Sequence, residues 1–366
     1  MECRWEKLPP EVWSVILREH LPKGARGLVA RVCWLWRVLL PKKERDCLNL
    51  PYFCRSVALL QWARENGCPW HKRVCWLAAY GGYLDVLKWA RANGCPMEGS
   101  VCNAAASGGH LEMLQWLREI GCSWGTDTCE GAAKEGNLEV LKWARSNGCP
   151  WGETVCGYAA KRGHIDILLW ARGNGCPWNE WTCKGLAWSG NLEMLKWVRA
   201  EGCPWDTWTS SKAAKGGHLE VLQWARENGC PWDWWTTRYA ARGAHFELLQ
   251  WTQEQDPPCP LSEAVCEEAA KGGHLDILKW VRERGCPWNE WTTTRAAQHE
   301  HLEVFKWALE NGCPYNEVDI GRCIRDCSSR EIGETVSRLI AKKTEEAQLM
   351  IGERARKKRR LDGTEQ

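Results

Sequence analysis

The chain has 366 residues, 44% hydrophobic and 26% charged, with a net charge of +3. Residues 354–360 carry six positive charges and residues 1–50 a further +4, which leaves −7 on the remainder; a protein without a nucleic-acid partner is expected, since phosphate binding needs clustered cations. No run of 18 apolar residues occurs and MECRWEKLPP has no basic segment followed by an apolar stretch, so a soluble, intracellular protein with no membrane partner is expected.

Residues 5–45 follow no internal period and read WEKLPPEVWSVILREHLPKGARGLVARVCWLWRVLLPKKER. Leu8-Pro9 and Glu11-Val12 lead into an amphipathic helix through Ile16 and Leu17 that closes at Leu21-Pro22; Leu28, Val32-Cys33 and Trp36-Arg37 follow. This segment resembles the F-box motif, departing from it at Gly27, where an acidic residue often stands, and at His20, which lengthens the first helix by one residue. The resemblance implies that Leu8, Pro9, Val12, Ile16, Leu17, Leu21, Pro22 and Leu28 contact a Skp-type adaptor in a cullin-RING ubiquitin ligase. The alternative is a helical cap that shields Leu59, Leu60 and Trp62, because the terminal units of a repeat array need a modified outer face.

From residue 54 onward one phrase, GCPW or a close variant, returns ten times, with its cysteine at Cys68, Cys95, Cys122, Cys149, Cys176, Cys203, Cys230, Cys259, Cys286 and Cys313. Every interval is 27 residues except one of 29. A fixed period of this size marks a solenoid, in which neighbours cover each unit's apolar face. After the phrase a short polar residue or Gly caps a first helix (Gly125, Gly152, Asn179, Asp206, Asp233, Ser262, Asn289, Asn316). That helix carries paired alanines such as Ala132-Ala133 and Ala159-Ala160, then stops at a Gly suited to the left-handed C′ position. A second helix of the type LEVLQWARENG presents Leu219, Val221, Leu222, Trp224 and Ala225 on one side, and the Pro after it ends the helix.

The GHLEVLQW segment after an Ala-Ala helix resembles the ankyrin repeat over residues 54–315. The unit is shorter than the ~33-residue ankyrin period and lacks the TPLH phrase, so the hairpin finger is expected to shrink to a tight turn. The expected fold is an all-α solenoid of ankyrin-like helix pairs with an N-terminal F-box-like helical domain. Its predicted parts are an F-box-like domain at 1–50, a capping half-repeat at 51–67, nine repeats at 68–312, a C-terminal cap at 313–347 and a charged tail at 348–366.

Ten tryptophans share a second-helix slot, including Trp143, Trp170, Trp197 and Trp224, and are expected to fill the space between units. Those of the CPW phrase are also expected to be structural. A less regular group, Trp181, Trp208, Trp234, Trp235 and Trp291, lies near the start of the first helix and is the candidate substrate-binding set, because exposed aromatics anchor interfaces; bracing of each unit's own turn is the alternative. His71, Lys72, Arg73, Glu98, Thr126, Asp127 and Glu153 vary at the same edge and are candidates for specificity. The cysteines of the phrase, and those of a second slot (Cys75, Cys102, Cys129, Cys156, Cys183, Cys266), are read as buried and reduced. His110, His164, His218, His245, His274 and His301 occupy a turn slot that Tyr83, Asn137 and Asn191 fill elsewhere, so a polar turn residue rather than a metal ligand is expected.

Toward the C-terminus, Ile332, Val336, Leu339 and Ile340 have the spacing of a capping helix. The basic run Arg356 to Arg360 resembles a nuclear import signal. Phosphate-loop, nucleophile-elbow and metalloprotease motifs are missing from the sequence, so no catalytic residue, cofactor or metal is expected. The functional expectation is a substrate-recognition subunit of a cullin-RING ligase, its F-box on the Skp-type adaptor and its repeats on a protein substrate, monomeric outside that complex. Cytoplasmic residence is expected, with nuclear entry as the alternative. The alternative function is an ankyrin-like scaffold unrelated to ubiquitin.

Overall fold

The computed structural model describes residues 54–65, 70, 73–97, 100–326 and 330–362. The F-box-like positions Leu8 to Leu28 lie outside them, as do His71, Lys72 and Glu98. The helices are α1 (Val57–Glu65), α2 (Arg73–Gly81), α3 (Leu84–Ala92), α4 (Ser100–Gly108), α5 (Leu111–Glu119), α6 (Thr126–Glu135), α7 (Leu138–Ser146), α8 (Glu153–Arg162) and α9 (Ile165–Gly173). They continue as α10 (Glu180–Ser189), α11 (Leu192–Ala200), α12 (Thr207–Gly216), α13 (Leu219–Glu227), α14 (Trp234–Arg242), α15 (Phe246–Glu254), α16 (Glu263–Gly272), α17 (Leu275–Glu283), α18 (Glu290–Gln298), α19 (Leu302–Glu310), α20 (Glu317–Asp326) and α21 (Arg330–Asp362). Among the described residues there is no strand, so the expected short turn replaces a hairpin finger. No helix among them is long and apolar enough to cross a membrane.

The chain is a helical-repeat solenoid comprising two compact units, Met1–Trp178 and Asn179–Gln366. Within the first, α2, α4, α6 and α8 stack in order; within the second, α10, α12, α14, α16, α18 and α20 do the same. Small side chains let these first helices approach closely: a Cβ at Gly131 would collide with Asn103 Oδ1 and Ser107 Oγ. The core between first and second helices is made of Ala, Cys, Val and Leu, with Leu87, Leu114, Leu141 and Leu168 fully buried in one unit and Leu195, Leu222, Leu249 and Leu278 in the other.

The second-helix tryptophans are not in that core. Trp89, Trp116, Trp143, Trp170, Trp197, Trp224, Trp251, Trp280 and Trp307 are all half-buried, which corrects the expectation that they fill the space between units. Two positions after the buried leucine, the slot has rotated toward the rim of the helix. There five of the rings, those of Trp143, Trp170, Trp224, Trp251 and Trp307, meet the CPW tryptophan of the preceding turn edge-on, Trp143 with Trp124 at 5.8 Å and Trp224 with Trp205 at 5.8 Å. The other face of the CPW ring carries the arginine that ends the second helix: Arg145 over Trp151 at 4.2 Å, Arg226 over Trp232 at 4.1 Å. The same guanidinium donates to the carbonyl of the phrase's cysteine, as Arg226 Nη1 does to Cys230 O at 2.8 Å. The WAR and GCPW segments are therefore one device, in which a cation held by a carbonyl of the turn after the helix supports an aromatic ring.

Between them the chain turns at a left-handed glycine. Gly148 (φ 81°) donates to Arg145 O at 3.0 Å and Cys149 N donates to Ala144 O at 2.9 Å, the paired bonds of a Schellman motif. The buried cysteine thiol donates back to the carbonyl of the first-helix N-cap, Cys149 to Gly125 at 3.4 Å and Cys203 to Asn179 at 3.3 Å. The second cysteine slot accepts any small donor: Ser210 and Thr293 give their hydroxyls to the carbonyls of Pro231 (2.8 Å) and Pro314 (2.9 Å). The turn-slot histidines stitch successive units, His110 Nε2 donating to Tyr80 O at 3.0 Å and His301 Nε2 to Lys271 O at 3.0 Å. Asn137 donates to the carbonyls of Ala106 and Ser107.

The 29-residue interval, with Pro257 and Pro258 in it, does not interrupt the stack: α14 packs on α16 within one compact unit. Gln253 Nε2 donates to Cys259 O at 2.8 Å, in the role arginine has elsewhere, and Cys259 N donates to Thr252 O at 3.0 Å. The two extra residues sit in the exposed loop. At the C-terminal end α21 packs on α19 and α20 with Val336 buried and Leu339 and Ile340 half-buried. It continues without a break through the predicted charged tail to Asp362.

Candidate functional site

The substrate-binding candidates all belong to the unit Asn179–Gln366. Their common slot is the first turn of a first helix, and its placement follows from the cap. Asn179, Asp206, Asp233 and Asn289 each accept the backbone N–H two residues on, which is that of Trp181, Trp208, Trp235 and Trp291, at 2.9–3.0 Å. The cap fixes the start of the helix, and the ring at the second helical position leans outward, away from the Ala-lined interior. Trp181, Trp208, Trp234 and Trp291 are 46%, 36%, 37% and 45% exposed.

The structure brings three of the five together. Trp235 is half-buried, stacked on Trp234 at 4.3 Å and 5.5 Å from Trp208 on the neighbouring first helix. Tyr239, one turn later, lies 5.5 Å from Trp235. Trp181 holds the same slot on α10, and Trp291 stands apart on α18, beyond Ala264, with Arg295 at 5.7 Å from its ring.

Cations interleave with these rings. Lys212 Nζ lies 5.1 Å from the ring of Trp208, 5.3 Å from Tyr239 and 5.8 Å from Trp188. Lys215 lies 4.4 Å from Trp188, and Arg238 4.6 Å from Trp235. At one border Glu268, buried on α16, takes Arg238 Nη2 and Nε at 2.6 and 3.0 Å and Arg242 at 3.7 Å. At the other, Lys184 pairs with Asp206 at 3.0 Å. Sequence reasoning missed Trp188, Lys212, Lys215, Arg238, Tyr239 and Arg242. A signal existed for Trp188, Lys215 and Arg242: the last turn of the Ala-rich first helix carries a large side chain at Lys134, Lys161, Trp188, Lys215, Arg242 and Lys271, one per period, where close packing alone calls for small residues.

In the other unit Arg73, Thr126 and Glu153 are exposed and Asp127 is half-buried. They form no aromatic cluster comparable with that on α12 and α14 among the described contacts. The thiols face inward. Burial pushes Cys230 up to about 11 and Cys259 and Cys313 to about 12, while Cys122, half-buried, is drawn down to about 7 by its hydrogen bond with Cys102 and, against burial, by the nearby Arg118.

The family of ankyrin repeats described as occurring in many copies matches residues 131–172, in agreement with ankyrin-like repeats. No curated protein sequence matches the chain. Solved structures similar to it include the pentatricopeptide repeat protein PPR10 in complex with an 18-nt psaJ RNA element and a cysteine-to-serine variant of the same complex, each 14% identical, covering 92% of this chain and 53% of theirs, TM-score 0.42. PPR10 from maize is 14% identical over 92% of this chain and 59% of that one, TM-score 0.39. The chain thus spans about half the length of these proteins. The expectation of no nucleic-acid partner is withdrawn, since similar solved structures hold RNA. Its charge argument also averaged over the whole array, whereas α12 and α14 concentrate cations locally.

Proposed function

We propose that the chain is a repeat scaffold that binds a protein partner across the first-helix face of Asn179–Gln366. The observation that carries this reading is the recurrence of tryptophan in the first turn of the first helices, with four of the five candidates more than a third exposed. Rings that only braced their own turn would be covered by it. Large, stiff aromatic surfaces that remain accessible are suited to anchor an interface at low entropic cost. Trp181, Trp208, Trp234, Trp235 and Trp291 are the anchors of this reading. Proximity labelling in cells tests it: Trp208→Ser/Trp234→Ser should lose partners that the unaltered chain labels, and an unchanged set of partners would reject it.

A finer reading adds the N-terminal segment. The LPPEV and IL spacing of residues 8–17 supports an F-box, with Leu8, Pro9, Val12, Ile16, Leu17, Leu21, Pro22 and Leu28 on a Skp-type adaptor and the repeats presenting a substrate to a cullin-RING ligase. In that reading the chain works in the cytoplasm, with Arg356 to Arg360 as a nuclear import signal, and is a monomer outside the complex. Leu8→Asp/Ile16→Asp should abolish co-purification with the adaptor and leave the helical circular dichroism intact, because such docking depends on desolvated apolar side chains. If the unaltered chain never retains the adaptor, or the double variant still does, the ligase reading fails and the scaffold reading stands.

A further inference from the structure

The cations of the aromatic face are concentrated. α12 (TWTSSKAAKG) and α14 (WWTTRYAAR) contain no acidic residue and contribute Lys212, Lys215, Arg238 and Arg242. The next first helix reverses the sign: α16 (EAVCEEAAKG) combines Glu263, Glu267 and Glu268 with Lys271. Adjacent helices pack about 8–10 Å apart, so the cationic stretch is about 20 Å wide, the length of about six extended residues. We infer that this face, on the protein-binding reading given above, takes an extended acidic peptide, its carboxylates on Lys212, Lys215 and Arg242 and its intervening apolar side chains on Trp208, Trp234 and Trp188.

Four observations favour that occupant. The flexible ammonium groups of Lys212 and Lys215 are held over rings, a geometry that keeps a cation beside an apolar surface. A peptide alternating carboxylates with apolar side chains matches both components at once. Arg242 is half exposed while its guanidinium touches Glu268 only at 3.7 Å, so an incoming carboxylate can bind it without breaking a short ion pair. The run of cations gives way at α16 to glutamates that would oppose a continued line of phosphates, and a peptide can change sign there by changing residue. The gap between Trp208 and Trp235, 5.5 Å between centroids, is below the ~7 Å that a base sandwiched between two rings would need, so any base would stack on an outer ring only.

Selection of a displayed random 12-residue peptide library on the full-length chain tests the inference. Enrichment of peptides with several Asp or Glu residues and interspersed apolar ones is expected. Synthesised with a fluorophore, such a peptide should bind at least about tenfold more weakly to Lys212→Gln/Lys215→Gln, keep its affinity for Lys212→Arg/Lys215→Arg, and weaken with added salt. Circular dichroism reports whether each variant is folded, and Arg242→Gln, further exposed, supplies a second charge removal should the lysine pair unfold. Enriched peptides that lack acidic residues, or that bind all charge variants equally while losing Trp208→Ser, would overturn the acidic partner and leave the protein-binding reading in place. A labelled 20-mer of oligouridine that binds through the same lysines, with no peptide enriched, would overturn both and assign the face to a nucleic-acid strand.

Discussion

At the scale of single residues, the periodic tryptophan and the periodic leucine of the second helix do different work. Leu222 is fully buried, so Leu222→Ala opens a cavity in the core and should destabilise the protein by about 3–5 kcal/mol in denaturant titration. Trp224, two positions on, is half-buried with one edge contact to Trp205, and Trp224→Ala should cost about 1–2 kcal/mol. The order was not legible in the sequence, where the larger ring is the more conspicuous member of the stripe. Burial of the thiols, by contrast, was legible from the small residues that replace them, and it carries a pH dependence. Cys230, Cys259 and Cys313 are raised from an ordinary value near 9 to about 11, 12 and 12 by burial. Their stabilising contribution is therefore fully present below pH 9, where both folded and unfolded chains keep the proton. Above it the unfolded thiols ionise first, and each of the three should remove about 1.4 kcal/mol per pH unit until its folded value is reached. Denaturation midpoints measured from pH 8 to 11 should fall, and Cys230→Ser should flatten the fall.

At the scale of the element, most of the helix boundaries follow from local chemistry: Asn or Asp at the N-cap, glycine at C′ and proline after it. Two units break the rule. Ala244 and Glu300 stand at φ 58° and 62°, where Gly82, Gly109, Gly136, Gly163, Gly190, Gly217 and Gly273 occur in the others. A side chain in this region is strained by about 1–2 kcal/mol, and part of that is offset by the greater freedom of glycine in the unfolded chain. Ala244→Gly and Glu300→Gly should therefore each stabilise by about 0.5–1 kcal/mol in chemical denaturation, opposite in sign to the same exchange inside a helix. The 29-residue interval shows the converse, local rules that mislead. Its missing Arg and paired prolines suggest a break in the stack, yet Gln253 reaches the Cys259 carbonyl and the loop takes up the surplus. A side chain of sufficient reach with a donor at its end was enough, which sequence pattern alone does not rank.

At the scale of the whole molecule, within each compact unit a first helix packs on the neighbouring first helices of that unit and on its own second helix, so stability is local in a way that a single-core domain's is not. Leu114→Ala should accelerate amide exchange in α4 to α7 while leaving α16 to α19 nearly as protected as before, and a uniform loss of protection measured by mass spectrometry would contradict that. The sequence by itself determined the helix pair, the 27-residue period, the caps and the Ala, Cys and Leu interior, because each depends on residues within one unit or at one fixed offset from it. It also singled out the capped tryptophans as a group, since their slot is set two residues from a cap. The tertiary structure alone decided which side of the second helix faces inward, so that its tryptophans lie at the rim, and which first-helix side chains from successive units meet. Trp188, Lys212, Trp208, Trp235 and Tyr239 become one surface only when α10, α12 and α14 stack. The charge of that surface belongs to the juxtaposition, because composition sums lysines and glutamates over the chain and packing distributes them between faces.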